Sequence, residues 1–93
     1  MRKISANDIS SLYQALLLLR NEREAKHFLR DLLTPTEIEE FAERWKVARM
    51  IASGVPYARI IDETGLSSTT IARVARWVKR GTGGYRTMLK RVS

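Results

Sequence analysis

The chain has no cysteine, a single histidine and two prolines among its 93 residues. Without cysteine there is no disulfide framework, no thiolate nucleophile and no thiolate metal ligand, a composition that fits a reducing compartment. The longest apolar run, Ala15 to Leu19, falls far short of the roughly twenty residues that span a bilayer. Met1-Arg2-Lys3 leads into polar residues rather than the hydrophobic stretch of a secretion signal, so a cytoplasmic protein is expected. Catalysis lacks its parts. His27 is the one histidine, and the carboxylates fall on helix starts and outer faces. Glu24 and His27 share a helix face, but two groups without further ligands do not make a metal site. No enzyme, metal or cofactor is expected.

Acid is also missing, from one half of the chain only. Residues 1–55 hold nine Lys/Arg against eight Asp/Glu, whereas residues 56–93 hold eight Lys/Arg against Asp62 and Glu63 alone. Most of the net charge of +7 therefore sits in the second half, and no carboxylate side chain follows Glu63. A positive field concentrated in this way attracts a polyanion, nucleic acid above all. An anionic membrane is a poorer match, because no helix pairs a strong apolar face with aromatics suited to lying on lipid.

What is present is helical throughout. Asn7 is a plausible cap for a first helix carrying Ile9, Leu12, Tyr13, Leu16 and Leu17 at helical spacing. Asn21 with Glu24 opens a second, in which Ala25, Phe28, Leu29, Leu32 and Leu33 repeat at the helix period. Thr34, Pro35 and Glu37 open a third, which runs to about Ser53 and stops at Gly54. Trp45 belongs to its apolar seam and reads as core; the second half of this helix is apolar on more than one side. Glu40 and Arg44, four apart, can pair on its surface. From Pro56 to Arg80 two short helices meet at Gly65-Leu66-Ser67. Ile60 and Ile61 face inward from the first, and Ile71, Val74, Ala75 and Val78 form the inward stripe of the second. The glycines from Gly81 to Gly84 break the chain before a last short helix with Tyr85, Met88, Leu89 and Val92 inward and Arg86, Lys90 and Arg91 outward. The expectation is an all-α chain of about six helices in a single domain: a dimerisation core over residues 1–55, a helix-turn-helix over residues 56–80 and a C-terminal helix over residues 81–93.

In such a motif the second helix enters the major groove of double-stranded DNA. Its outward face carries Ser68, Thr69, Ala72, Arg73 and Arg76 and no carboxylate. Ser68, Thr69 and Ala72 are candidates for base edges, since a hydroxyl donates or accepts and a methyl touches thymine. Arg73 and Arg76 can reach base or phosphate; Arg59, Lys79 and Arg80 are assigned to the backbone. Ser67 and Thr70, at the start of the helix, complete the expected contact set. Arg2 and Lys3 could form a basic arm. Trp77 flanks the inward stripe and could stack on a base or pack inside. The alternative reading is a basic helical adaptor that binds RNA or an acidic protein.

Thr34-Pro35 opening a long helix, Arg44 within it, Gly54 ending it, the corner Gly65, and Thr70-Ile71 followed by Arg73 together resemble the Trp repressor family. Gly83-Gly84-Tyr85 after the second helix of the motif is more similar still to the YerC/YecD-type members. The resemblance implies an intertwined homodimer presenting two helix-turn-helix units to a palindromic operator, and repression of transcription. It also implies an effector pocket at Thr34, Arg44 and Arg73, where the family's corepressor carboxylate and amino group are held. The family has glycine after the position of Arg73, leaving room for an indole. Here Val74 stands there, and the expectation is that its side chain fills that space, so that tryptophan is not bound.

Overall fold

The computed structural model describes residues 3–93, which form six α-helices and no strand. Of the basic N-terminal pair, Arg2 lies outside the described residues and Lys3 is exposed. By its internal contacts the chain divides at Ile38/Glu39 into two compact units.

The first unit holds α1 (Ala6–Leu17), α2 (Glu22–Leu32) and the opening of the third helix. Helix α1 starts two residues earlier than Asn7 suggests. Ser5 is its cap: the hydroxyl accepts from the Asp8 N–H at 3.1 Å, and the Asp8 carboxylate accepts from the Ser5 N–H at 2.9 Å. Both are good cap residues, but only Ser5 has an acid three positions on to complete the reciprocal pair. Asn21 caps α2 through the Glu24 N–H at 2.9 Å, while the Glu24 carboxylate reaches one residue further back, to the Arg20 N–H. Neither α1 nor α2 contains a buried residue. Leu17 and Leu18 are 84% and 76% exposed, and Ile9, Leu12, Tyr13, Leu16 and Leu32 also lie open.

Helix α3 (Pro35–Ala52) begins in the first unit and runs through the second. Thr34 and Glu37 form the expected reciprocal cap, with Pro35 at the first helical position, where its missing N–H has no partner to lose. The helix ends in the expected way at Gly54, which sits at φ 79 so that the Gly54 N–H bonds the Ile51 carbonyl and the Val55 N–H bonds that of Met50.

The second unit adds α4 (Tyr57–Thr64), α5 (Ser68–Arg80) and α6 (Gly84–Val92). Its core is small: Val47 and Ala48 from α3, Ile60 from α4, and Ile71 and Val74 from α5. Trp45, Met50, Ile51, Val55, Ile61, Leu66, Val78 and Tyr85 pack around it. Each fully buried Val or Ile contributes about 1.5–3 kcal/mol through its burial. The inward faces read from α4 and α5 are thus the observed ones, and Val47, not the Phe41 side of the seam, is the deepest part of α3. Phe41 stays half exposed, and the Arg44 guanidinium lies over its ring at 5.7 Å rather than against Glu40.

Candidate nucleic-acid interface

The turn between α4 and α5 fixes the angle at which α5 is shown to solvent. Gly65 takes φ 72, a left-handed backbone that a side chain at Cβ would oppose. Its N–H closes α4 on the Ile61 carbonyl at 2.8 Å. Thr64 holds both sides of the corner: its hydroxyl donates to the Ile60 carbonyl at 2.6 Å and accepts from the Leu66 N–H at 3.2 Å. Leu66 then drops onto the core as the plug of the corner.

Ser67 caps α5, accepting from the Thr70 N–H at 3.1 Å and sharing a hydroxyl–hydroxyl bond of 3.0 Å with Thr70. Two of the residues assigned to contact are therefore engaged in starting the helix. Ser68, Thr69, Ala72, Arg73, Arg76, Lys79 and Arg80 are all exposed along α5. At 3.6 residues per turn, Thr69, Arg73, Arg76 and Arg80 share the outermost ridge opposite the buried Ile71, Val74 and Ala75. Arg59 is also exposed but is not free: its Nε donates to the Glu63 carboxylate at 3.0 Å, one turn along α4. A surface pair of this kind is worth well under about 1 kcal/mol and yields readily to a stronger anion.

The two flanks of α5 differ. On one flank Thr70, Arg73 and Trp77 border an open cavity of about 780 Å³, with Arg44 and Trp45 of α3 and Tyr85 and Met88 of α6 along its other sides. Trp45 and Tyr85 stack with ring centroids 6.4 Å apart and planes 8° from parallel. Trp77 resolves toward this cavity and solvent, at 53% exposure, and not into the core. Val74 borders the same cavity without filling it. Its side chain is committed to the cluster with Val47, Ala48, Ile60 and Ile71, so the space beside Arg44 and Arg73 remains. Arg44 and Arg73 do come together here; the Thr34 hydroxyl, in the first unit, accepts from the Glu37 N–H.

On the opposite flank lies a smaller cleft of about 390 Å³, with Ala72 and Ala75 along it, Arg76, Lys79 and Arg80 around it, and Tyr57 of α4 across from them. Tyr57, Tyr85 and Met88 escape a reading of the sequence as contact residues. Tyr85 and Met88 count there as the apolar face of a terminal helix and, for Tyr85, as part of the resemblance, and Trp45, on which Tyr85 stacks, stands forty residues away, beyond any spacing rule. The one local signal at Tyr57 is an aromatic placed directly after the helix-starting Pro56.

No helix among the described residues is long and apolar enough to cross a membrane. Comparison with known proteins places this architecture. Residues 7–93 match the family described as Trp repressor protein. The uncharacterized protein YerC of Bacillus subtilis is 38% identical over 90 residues, which cover 97% of this chain and 86% of YerC. A candidate Trp repressor from Staphylococcus aureus superposes with a TM-score of 0.87 at 38% identity, covering 95% of this chain and 88% of its own. A TrpR-like protein from Eubacterium eligens does so with a TM-score of 0.88 at 34% identity, over 94% and 90%. The chain belongs to the Trp repressor protein family.

Proposed function

We propose that this protein is a sequence-specific regulator of transcription that binds double-stranded DNA as a homodimer, on a palindromic operator, and represses. The observation that carries the reading is the outward ridge of α5: Thr69, Arg73, Arg76 and Arg80, exposed side by side on a helix without a single carboxylate. A rigid turn and an independent core hold that ridge in place, which is what base reading requires of a recognition helix. Ser68, Thr69 and Ala72 read base edges. Arg73 and Arg76 reach base or phosphate, and Arg59, Lys79 and Arg80 fix the protein on the backbone.

The homodimer is supported by the first unit. Its helices α1 and α2 contain no fully buried residue and leave a run of large apolar side chains open, more than a soluble monomer ordinarily exposes in one region. A second copy of the same surface is the economical cover, and the helices between Ile9 and Ala52 supply it. Two-fold symmetry then sets the recognition helices roughly 34 Å apart, one turn of DNA.

Selection of bound sites from random duplex DNA tests the whole reading at once. A recovered palindrome with half-sites one helical turn apart is the expected result. Retention of structured RNA in preference to every duplex, across a range of salt, favours the adaptor reading instead.

A further inference from the structure

The cleft between α4 and α5 has a composition that suits one kind of guest. Its bordering side chains are Arg76, Lys79, Arg80 and the Tyr57 phenol, with the methyl groups of Ala72 and Ala75 between them, and no carboxylate lines it. Every polar side chain there can donate a hydrogen bond, three carry positive charge, and none is an obligate acceptor. At about 390 Å³ the cleft has room for a tetrahedral oxyanion together with waters of about 30 Å³ each. Such a collection of donors selects an anion with several acceptor oxygens, met by arginine in paired fashion and by the phenol singly.

Resting on the DNA reading proposed above, we infer that this cleft seats one phosphodiester of the DNA backbone in each half-site, and that Tyr57 is the positioning residue that closes it from α4. The cleft sits on the flank of α5 and shares Arg76 and Arg80 with its outward ridge. A phosphate gripped there fixes the rotation of α5 about its own axis. Tyr57 and the three cations hold one oxyanion from two helices, so the grip fixes the register of the ridge as well as adding attraction. The cations alone would attract any phosphate within reach; the phenol, carried by the first residue of α4, picks one.

The test uses the full-length protein and a selected operator in which single phosphates are replaced, one at a time, by uncharged methylphosphonates. For the wild type, one replacement per half-site is expected to weaken binding about tenfold beyond its neighbours. Tyr57→Phe, checked for an unchanged melting temperature, is expected to weaken binding to the unmodified operator about tenfold and to lose the extra sensitivity at that same phosphate. Equal binding by Tyr57→Phe, with the same pattern of sensitive phosphates, overturns the inference and leaves the DNA reading standing. Failure of the wild type to retain any duplex overturns both. Titration with inorganic phosphate separates a free anion from the backbone. A Tyr57-dependent response to it, with no methylphosphonate position affected by Tyr57→Phe, overturns the assignment to DNA.

Discussion

Val74 is 5% exposed and stands in the same cluster as Val47, Ala48, Ile60 and Ile71. Its replacement by glycine removes a packed isopropyl group from the centre of the second unit and loosens the middle of α5. Large-to-small changes at buried sites cost about 2–4 kcal/mol, and glycine in a helix interior about 1 kcal/mol more. Val74→Gly is therefore expected to lower the stability of the protein markedly, as read by thermal or urea unfolding. A neutral outcome would mean that the cavity wall, and not the core, is where this side chain resides. Glu37 acts at the same scale. The Thr34 backbone N–H and then the Thr34 side chain hold its carboxyl below the ordinary value of 4.5. A carboxyl lowered in the folded state contributes stability that is complete above its unfolded value and is lost as pH falls through the folded one. Wild type should therefore outlast Glu37→Gln in melts near neutrality, and the difference should close on acidification below about pH 4.5. A gap that persisted unchanged into acid would assign the effect to something other than this cap.

The Arg86 side chain ties helix α6 to the end of α5. The Arg86 guanidinium donates from Nε to the Val78 carbonyl at 3.2 Å and from a terminal nitrogen to the Lys79 carbonyl, at the end of α5 where carbonyls lack helical partners. A cation there also opposes the negative end of the helix dipole. Arg86→Met keeps much of the stem and loses both bonds. Amide exchange in the last turn of α5 is expected to accelerate about tenfold or more, with the rest of α5 little changed. Uniform acceleration throughout the protein would instead mark Arg86 as a global support. The sequence pattern points Arg86 outward with Lys90 and Arg91, because amphipathic spacing sees only the helix a residue belongs to. That limit explains what else was legible. Caps at Asn21, Thr34 and Ser67 and the stops at Gly54 and Gly65 are local chemistry, written within a few residues, and α2, α3, α4 and α5 start or stop close to where they imply. The inward stripes of α4 and α5 are equally local. The large cavity, the stacking of Trp45 on Tyr85 and the cleft at Tyr57 join residues from separate helices, so no window of sequence contains them. The direction in which Val74 packs is likewise a property of three helices together, which its size alone does not give.

At the scale of the molecule the two units differ in kind. Residues Glu39–Ser93 own a core, whereas α1 and α2 have none and expose their leucines. In the proposed homodimer a second copy covers the open leucines of the first unit, so the order of that unit should depend on protein concentration more than that of the second. Far-ultraviolet circular dichroism on dilution is expected to lose signal in proportion to dissociation seen by sedimentation. Helix content that stays constant through a full transition to monomer would contradict the coupling. The coreless first unit has a further consequence in time. Partners whose helices fold on each other cannot separate by sliding apart; they must first unravel. Two differently labelled populations, once mixed, should therefore trade subunits slowly at working concentrations. A newly made copy would then pair with another new copy sooner than with an old one, so each assembled pair keeps a memory of the moment of its synthesis.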